Sequence, residues 1–83
     1  MIAAEVTPAQ IAEWRRPGYP YKLIAAAMAE WARTQERGTA LPGNDFFAGD
    51  MDIVAFEATW IRARIFLATV GVLTPLGGPY VVA

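Results

Sequence analysis

Residues 59–83 read TWIRARIFLATVGVLTPLGGPYVVA, and their order decides the fold class. Upstream and through this stretch, Ile53, Phe56, Trp60, Ala63, Leu67 and Val70 recur at three- and four-residue intervals. That spacing predicts one helix running to Val70 with these residues on its core face. Gly71 supplies the stop, since a glycine beyond the last periodic residue accepts the left-handed backbone that ends helices. Val72 and Leu73 then read as a short strand, TPLGGP (residues 74–79) as a turn, and residues 80–82 as the partner strand. A hairpin of this length is marginal alone, so it must pack on the helices. The same helix carries a second apolar stripe, Val54, Ala58, Ile61 and Ile65 with Phe66 at its edge. One buried face does not account for it.

Working back toward the N-terminus, VTPAQI marks a helix start. Thr7 stands at the N-cap, Pro8 at N1 and Gln10 at N3, which is a capping box, and Val6 and Ile11 hold the positions of a hydrophobic staple. This helix carries Ile11 and Trp14 and stops before PGYP (residues 17–20). A second helix from about Tyr21 places Ile24, Ala27, Met28 and Trp31 on one face, with Gly38 as its end. GTALPGND (residues 38–45) reads as a loop, with Asn44 or Asp45 capping a short third helix through Phe46, Phe47 and Ala48. GDMD (residues 49–52) is a turn, with Asp50 or Asp52 capping the long helix. The expectation is one domain, residues 1–83, of α+β class, mostly helical with a C-terminal hairpin.

Several pieces of this order resemble the GntR-type winged helix-turn-helix family. YKLIAAAM (residues 21–28) resembles the opening helix of that family and GTALP (residues 38–42) its loop into the turn motif. TWIRA (residues 59–63) is similar to its recognition helix, and GVL with GGPYVV (residues 71–73 and 77–82) to its wing. The resemblance implies a winged helix-turn-helix with a C-terminal β-hairpin wing. It also implies a transcriptional regulator that binds double-stranded DNA as a dimer, one helix per half-site in the major groove. Arg62 and Arg64 would then meet DNA from the helix, and Arg15, Arg16 and Lys22 would supply phosphate contacts. Where the family opens its recognition helix with Ser-Arg, this chain has Phe56 and Glu57. Phe cannot cap as Ser does, and Glu repels phosphate. The family's usual C-terminal effector domain has no counterpart in these residues.

Composition bounds the alternatives. The 83 residues carry no Cys and no His, and no Ser occurs among them. That removes thiolate and imidazole chemistry, serine triads and the usual zinc sites, so neither an enzyme nor a cofactor is expected. Asp45, Asp50, Asp52 and Glu57 lack the spacing of a calcium loop and read as caps and solvated acids. Net charge is −1 and the pI is about 5.2, whereas a domain that grips DNA through phosphates is usually basic. Meanwhile 55% of residues are hydrophobic and only 18% charged, an excess that suggests a covered surface. The alternative function is therefore a winged-helix module that contacts a protein, as a homodimer or with a regulatory partner. Its interface would be Val54, Ala58, Ile61, Ile65 and Phe66. Three charges interrupt the most apolar run, so no membrane span is expected, and the cytoplasm is the expected location.

Overall fold

The computed structural model describes residues 1–49 and 52–83. A 3₁₀ turn at Ala3–Glu5 leads into α1 (Pro8–Arg15), α2 (Pro20–Ala32), a second 3₁₀ turn (Asn44–Phe47) and α3 (Ile53–Val70). The chain closes with β1 (Leu73–Pro75) and β2 (Tyr80–Val82), an antiparallel pair in the register Leu73–Val82, Thr74–Val81, Pro75–Tyr80. It is a small, mostly helical α+β domain. Among the described residues no helix is long and apolar enough to cross a membrane.

The start of α1 follows from local chemistry. The Gln10 amide donates to Thr7 Oγ1 at 3.2 Å and the Thr7 amide donates to Gln10 Oε1 at 2.9 Å, satisfying two amides that the helix itself leaves unpaired. Val6 and Ile11, on either side of the cap, are both buried. Thr7→Ala removes one of these bonds and is expected to cost about 1 kcal/mol. Thermal unfolding followed by circular dichroism should then show a midpoint lower by roughly 4–8 °C.

Helix α2 buries a face one residue out of phase with the expected one. Ala25, Met28, Ala29 and Ala32 are fully enclosed, together with Ala26, while Ile24, Ala27 and Trp31 are only half-buried. Met28 is enclosed as expected and Ile24 and Trp31 pack against the core from its edge; the buried face is centred one residue further on because α2 is sandwiched between α1 and α3. Small alanines there let the helix axes approach closely, so the larger residues move to the periphery. The helix also ends at Ala32 and not at Gly38. The Thr34 hydroxyl donates to the Trp31 carbonyl at 2.8 Å, a side-chain bond that competes with continued helix. Gly38, at φ 86°, instead donates its amide to Val82 O at 2.7 Å and so tethers the loop to β2.

The short third helix is a single 3₁₀ turn with Gly43 at its cap, and no side chain bonds there. Asp45 lies in its first turn, and the Asn44 side chain lies outside what is described. Asp52 caps α3, its carboxylate accepting from the Ala55 amide at 3.3 Å. Asp50, the alternative cap, and the side chain of Ile53 are likewise outside the described part. Phe56, Trp60, Ala63 and Leu67 form the core face of α3 as expected, while Val70 is half-buried.

Gly71 ends α3 at φ 92°. The Val72 amide donates to Leu67 O at 2.9 Å and the Gly71 amide to Ala68 O at 3.2 Å. This is a Schellman motif, and its hydrophobic contact is supplied by Val72 and Leu67, both fully buried. The motif turns the chain directly into β1. Beyond β2, the loop after α2 adds an extended contact: Ala40 bridges Val81, Val82 N donates to Thr39 O and Leu41 N to Tyr80 O. The hairpin is thereby held along both edges of β2, which offsets its short length.

Candidate interaction surface on α3

With its core face turned inward, α3 presents the second apolar stripe to solvent. Val54 is 75% exposed, Ile61 46% and Ile65 55%, and Ala58 beside them is exposed too. Neither the hairpin nor α1 reaches over these four residues. Phe66 separates from the group. It is half-buried, with the Trp14 ring edge-on at 5.2 Å and the Tyr21 ring edge-on at 6.1 Å. This aromatic contact seals α1 and α2 against one edge of α3. Trp14 therefore covers Phe66 and leaves the stripe bare.

All five cations named from the sequence already have companions. Arg15 holds Glu30 through two parallel bonds, Nη1 to Oε1 at 3.2 Å and Nη2 to Oε2 at 3.0 Å. This bidentate contact lowers the Glu30 carboxyl below its ordinary pKa and raises that of Arg15, the hydrogen bond being the largest cause for each. Arg16 Nη2 lies 2.7 Å from Glu13 Oε1, with both side chains largely exposed. Lys22 Nζ stands 5.6 Å from the centre of the Phe66 ring. Arg62 stacks on Tyr21 at 4.3 Å and itself remains exposed. The five do not form one patch: Arg15 and Arg16 belong to the α1 C-terminus and face acids, Lys22 and Arg62 sit on the aromatic edge, and Arg64 lies apart against Trp60 and Tyr80.

Arg64 is the residue whose surroundings the sequence hid. Its guanidinium lies between the rings of Trp60 and Tyr80, 5.4 and 5.2 Å from their centres. Its Nε is buried and has no hydrogen-bond partner among the described residues. Among the described residues Arg64 forms no ion pair with Glu57, seven residues before it on the same helix. Both instead line a shallow groove of about 300 Å³ that runs along α3 between Ile61 and the hairpin residues Pro79 and Tyr80. On the opposite edge a smaller groove of about 210 Å³ is lined by Pro20, Tyr21, Ala58 and Arg62. The outward face of α3 is thus an apolar ridge between two grooves, with Glu57 on one side and Arg62 on the other.

No sequence signal could have revealed the Arg64 sandwich, because Tyr80 reaches it only through the register of the hairpin. The stripe itself was legible from periodicity. Compared with protein-family models, with curated proteins and with solved structures, the chain matches none.

Proposed function

We propose that this domain is a protein-interaction module of the winged-helix type, and that the outward face of α3 is its contact surface. The observation that carries this reading is the exposure of Val54, Ala58, Ile61 and Ile65 on the helix a winged helix-turn-helix would insert into DNA. A reading face needs donors and acceptors for base edges, and this one offers methyl groups. A contiguous apolar ridge with a polar rim instead has the make-up of a protein contact. The pairing of the loop after α2 with β2, through Ala40 and Val81, supports the winged-helix part of the reading.

Double-stranded DNA is the second reading, favoured by Arg62, an exposed cation beside the ridge. It draws little from the other cations, whose charges are matched by Glu30 and Glu13 or laid against rings. Glu57 and the net charge of −1 oppose a polyanion.

Ile61→Asp separates the two. The side chain is exposed, so folding should change by no more than about 0.5 kcal/mol. The expected result is loss of the protein association that wild type shows, with itself at high concentration or with another protein, and an unchanged circular dichroism spectrum. No mobility shift of duplex DNA at low salt is expected for either protein. A low-salt shift abolished by Arg62→Ala but indifferent to Ile61→Asp would replace this reading with the DNA one.

A further inference from the structure

The ridge on α3 has the spacing of a seam between two helices. Val54, Ala58, Ile61, Ile65 and Ala68 succeed one another at alternating intervals of four and three residues. These are the d, a, d, a and d positions of a heptad, the repeat that keeps one stripe facing a partner helix. Charges flank the seam where a coiled coil places them. Glu57 stands at g, just before Ala58, and Arg62 at e, just after Ile61. They lie on opposite edges of the ridge, and each edge has a groove beside it with room for a neighbour's side chains.

The symmetry of a pair decides what those charges do. If two copies pack with α3 antiparallel, the two-fold axis brings like edge to like edge, so Glu57 approaches Glu57 and Arg62 approaches Arg62. If they pack parallel, the axis runs along the seam and brings the Glu57 edge of each copy against the Arg62 edge of the other. Two complementary ion pairs then form at once.

We infer that the partner for this face is a second copy of the chain, docked through α3 in parallel orientation, with Glu57 of each protomer opposite Arg62 of the other. The inference rests on the reading of α3 as a protein-contact surface and names its occupant. Ala58 lets the two axes come close, while Ile61 and Ile65 meet their own counterparts across the axis. A seam this short covers less than a standard interface of about 1,600 Å², so the pair is reversible, with a dissociation constant between about 1 μM, the weak end for standard interfaces, and about 1 mM.

Sedimentation equilibrium of the purified chain across that concentration range tests the inference. The mass should rise from 9.0 kDa toward twice that value. Glu57→Arg alone and Arg62→Glu alone should each weaken association about tenfold, by placing like charges together. The double variant Glu57→Arg/Arg62→Glu should restore it, since both pairs are rebuilt with signs exchanged. The chain contains no cysteine, so an introduced one reports orientation cleanly. Ile61→Cys should form a disulfide-linked dimer on mild oxidation. Cross-linking confined to a mixture of Ala58→Cys and Ile61→Cys would overturn the parallel arrangement, as would failure of the double charge exchange to rescue. A chain that stays at 9.0 kDa up to millimolar concentration, yet gives an Ile61-dependent complex with another protein, would overturn self-pairing and leave the contact surface standing. A monomer with no Ile61-dependent complex of any kind would overturn both.

Discussion

Replacing Phe56 by alanine is expected to lower the thermal midpoint by roughly 15–30 °C. Phe56 is fully buried in the first turns of α3, and its ring lies 5.7 Å from that of Trp60. Trp60 in turn stacks on Phe47 at 5.7 Å, and Phe47 meets Trp31 edge-on at 6.1 Å. Removing the first ring leaves a cavity under a chain of aromatic contacts that joins α3, the second 3₁₀ turn and α2. Truncations of this kind cost about 3–5 kcal/mol. A domain of 83 residues has roughly 4–12 kcal/mol to lose, so the substitution removes a quarter or more of the total. Phe56→Leu keeps most of the volume and should lose less than half as much. Calorimetry of the two variants checks the contrast. Equal losses would mean that ring packing is not what holds α3 in place.

The second large effect is at Gly71. A side chain there meets two obstacles. The backbone sits at φ 92°, which L-residues avoid. A Cβ would also lie 2.5 Å from the Met1 carbonyl oxygen and 2.7 Å from the Met1 nitrogen. Both neighbours are main chain, and they move only if the N-terminal strap moves. Gly71→Val should cost roughly 3–5 kcal/mol, since a branched side chain is least tolerant of this conformation. The damage should spread beyond the turn, because the Schellman motif aims β1 and the Ala3 amide donates to Ala83 O at 3.2 Å close by. Hydrogen exchange should therefore show lost protection in residues 72–73 and 81–83 as well as at the end of α3. Loss confined to the last helical turn would show that the strap is not coupled to the hairpin.

These two sites differ in how they could be foreseen. Gly71 was legible as a stop from its place after a periodic run, but its contact with Met1 depends on the path of a distant segment. Phe56 carried two conflicting readings, one as a core residue by spacing and one as the family position that opens a reading helix. Burial resolves the conflict in favour of the core. That leaves Glu57, Ala58, Ile61 and Arg62 as the surface near the start of the helix, and an apolar outward face follows. The face of α2 shows the opposite case. Its period was readable, but an alanine-rich helix has nearly equal claims for adjacent phases, and only packing between α1 and α3 selects one.

The candidate site was legible to the same mixed degree. Periodicity separated Val54, Ala58, Ile61 and Ile65 from the core face, because a helix cannot direct two stripes so far apart into one core. Whether another element covers the second stripe is a non-local question, answered by α1 docking on Phe66 and stopping there. The five cations illustrate the reverse. Their residue types suggested a phosphate-binding surface, while their partners, Glu30, Glu13, Phe66, Tyr21, Trp60 and Tyr80, came largely from other elements.

What the chain determined by itself is therefore local: the capping box at Thr7, an aspartate cap at one of two positions before α3, the Gly71 stop, the Gly-Gly-Pro turn and the two stripes of α3. Each depends on backbone and side-chain preferences within a few residues, so sequence is sufficient. Tertiary structure alone decided which alanines of α2 are enclosed, where that helix ends, how Arg64 comes to lie between Trp60 and Tyr80, and which stripe stays in water. Those outcomes depend on the relative placement of segments far apart in the chain, where packing of one element against another outweighs local preference.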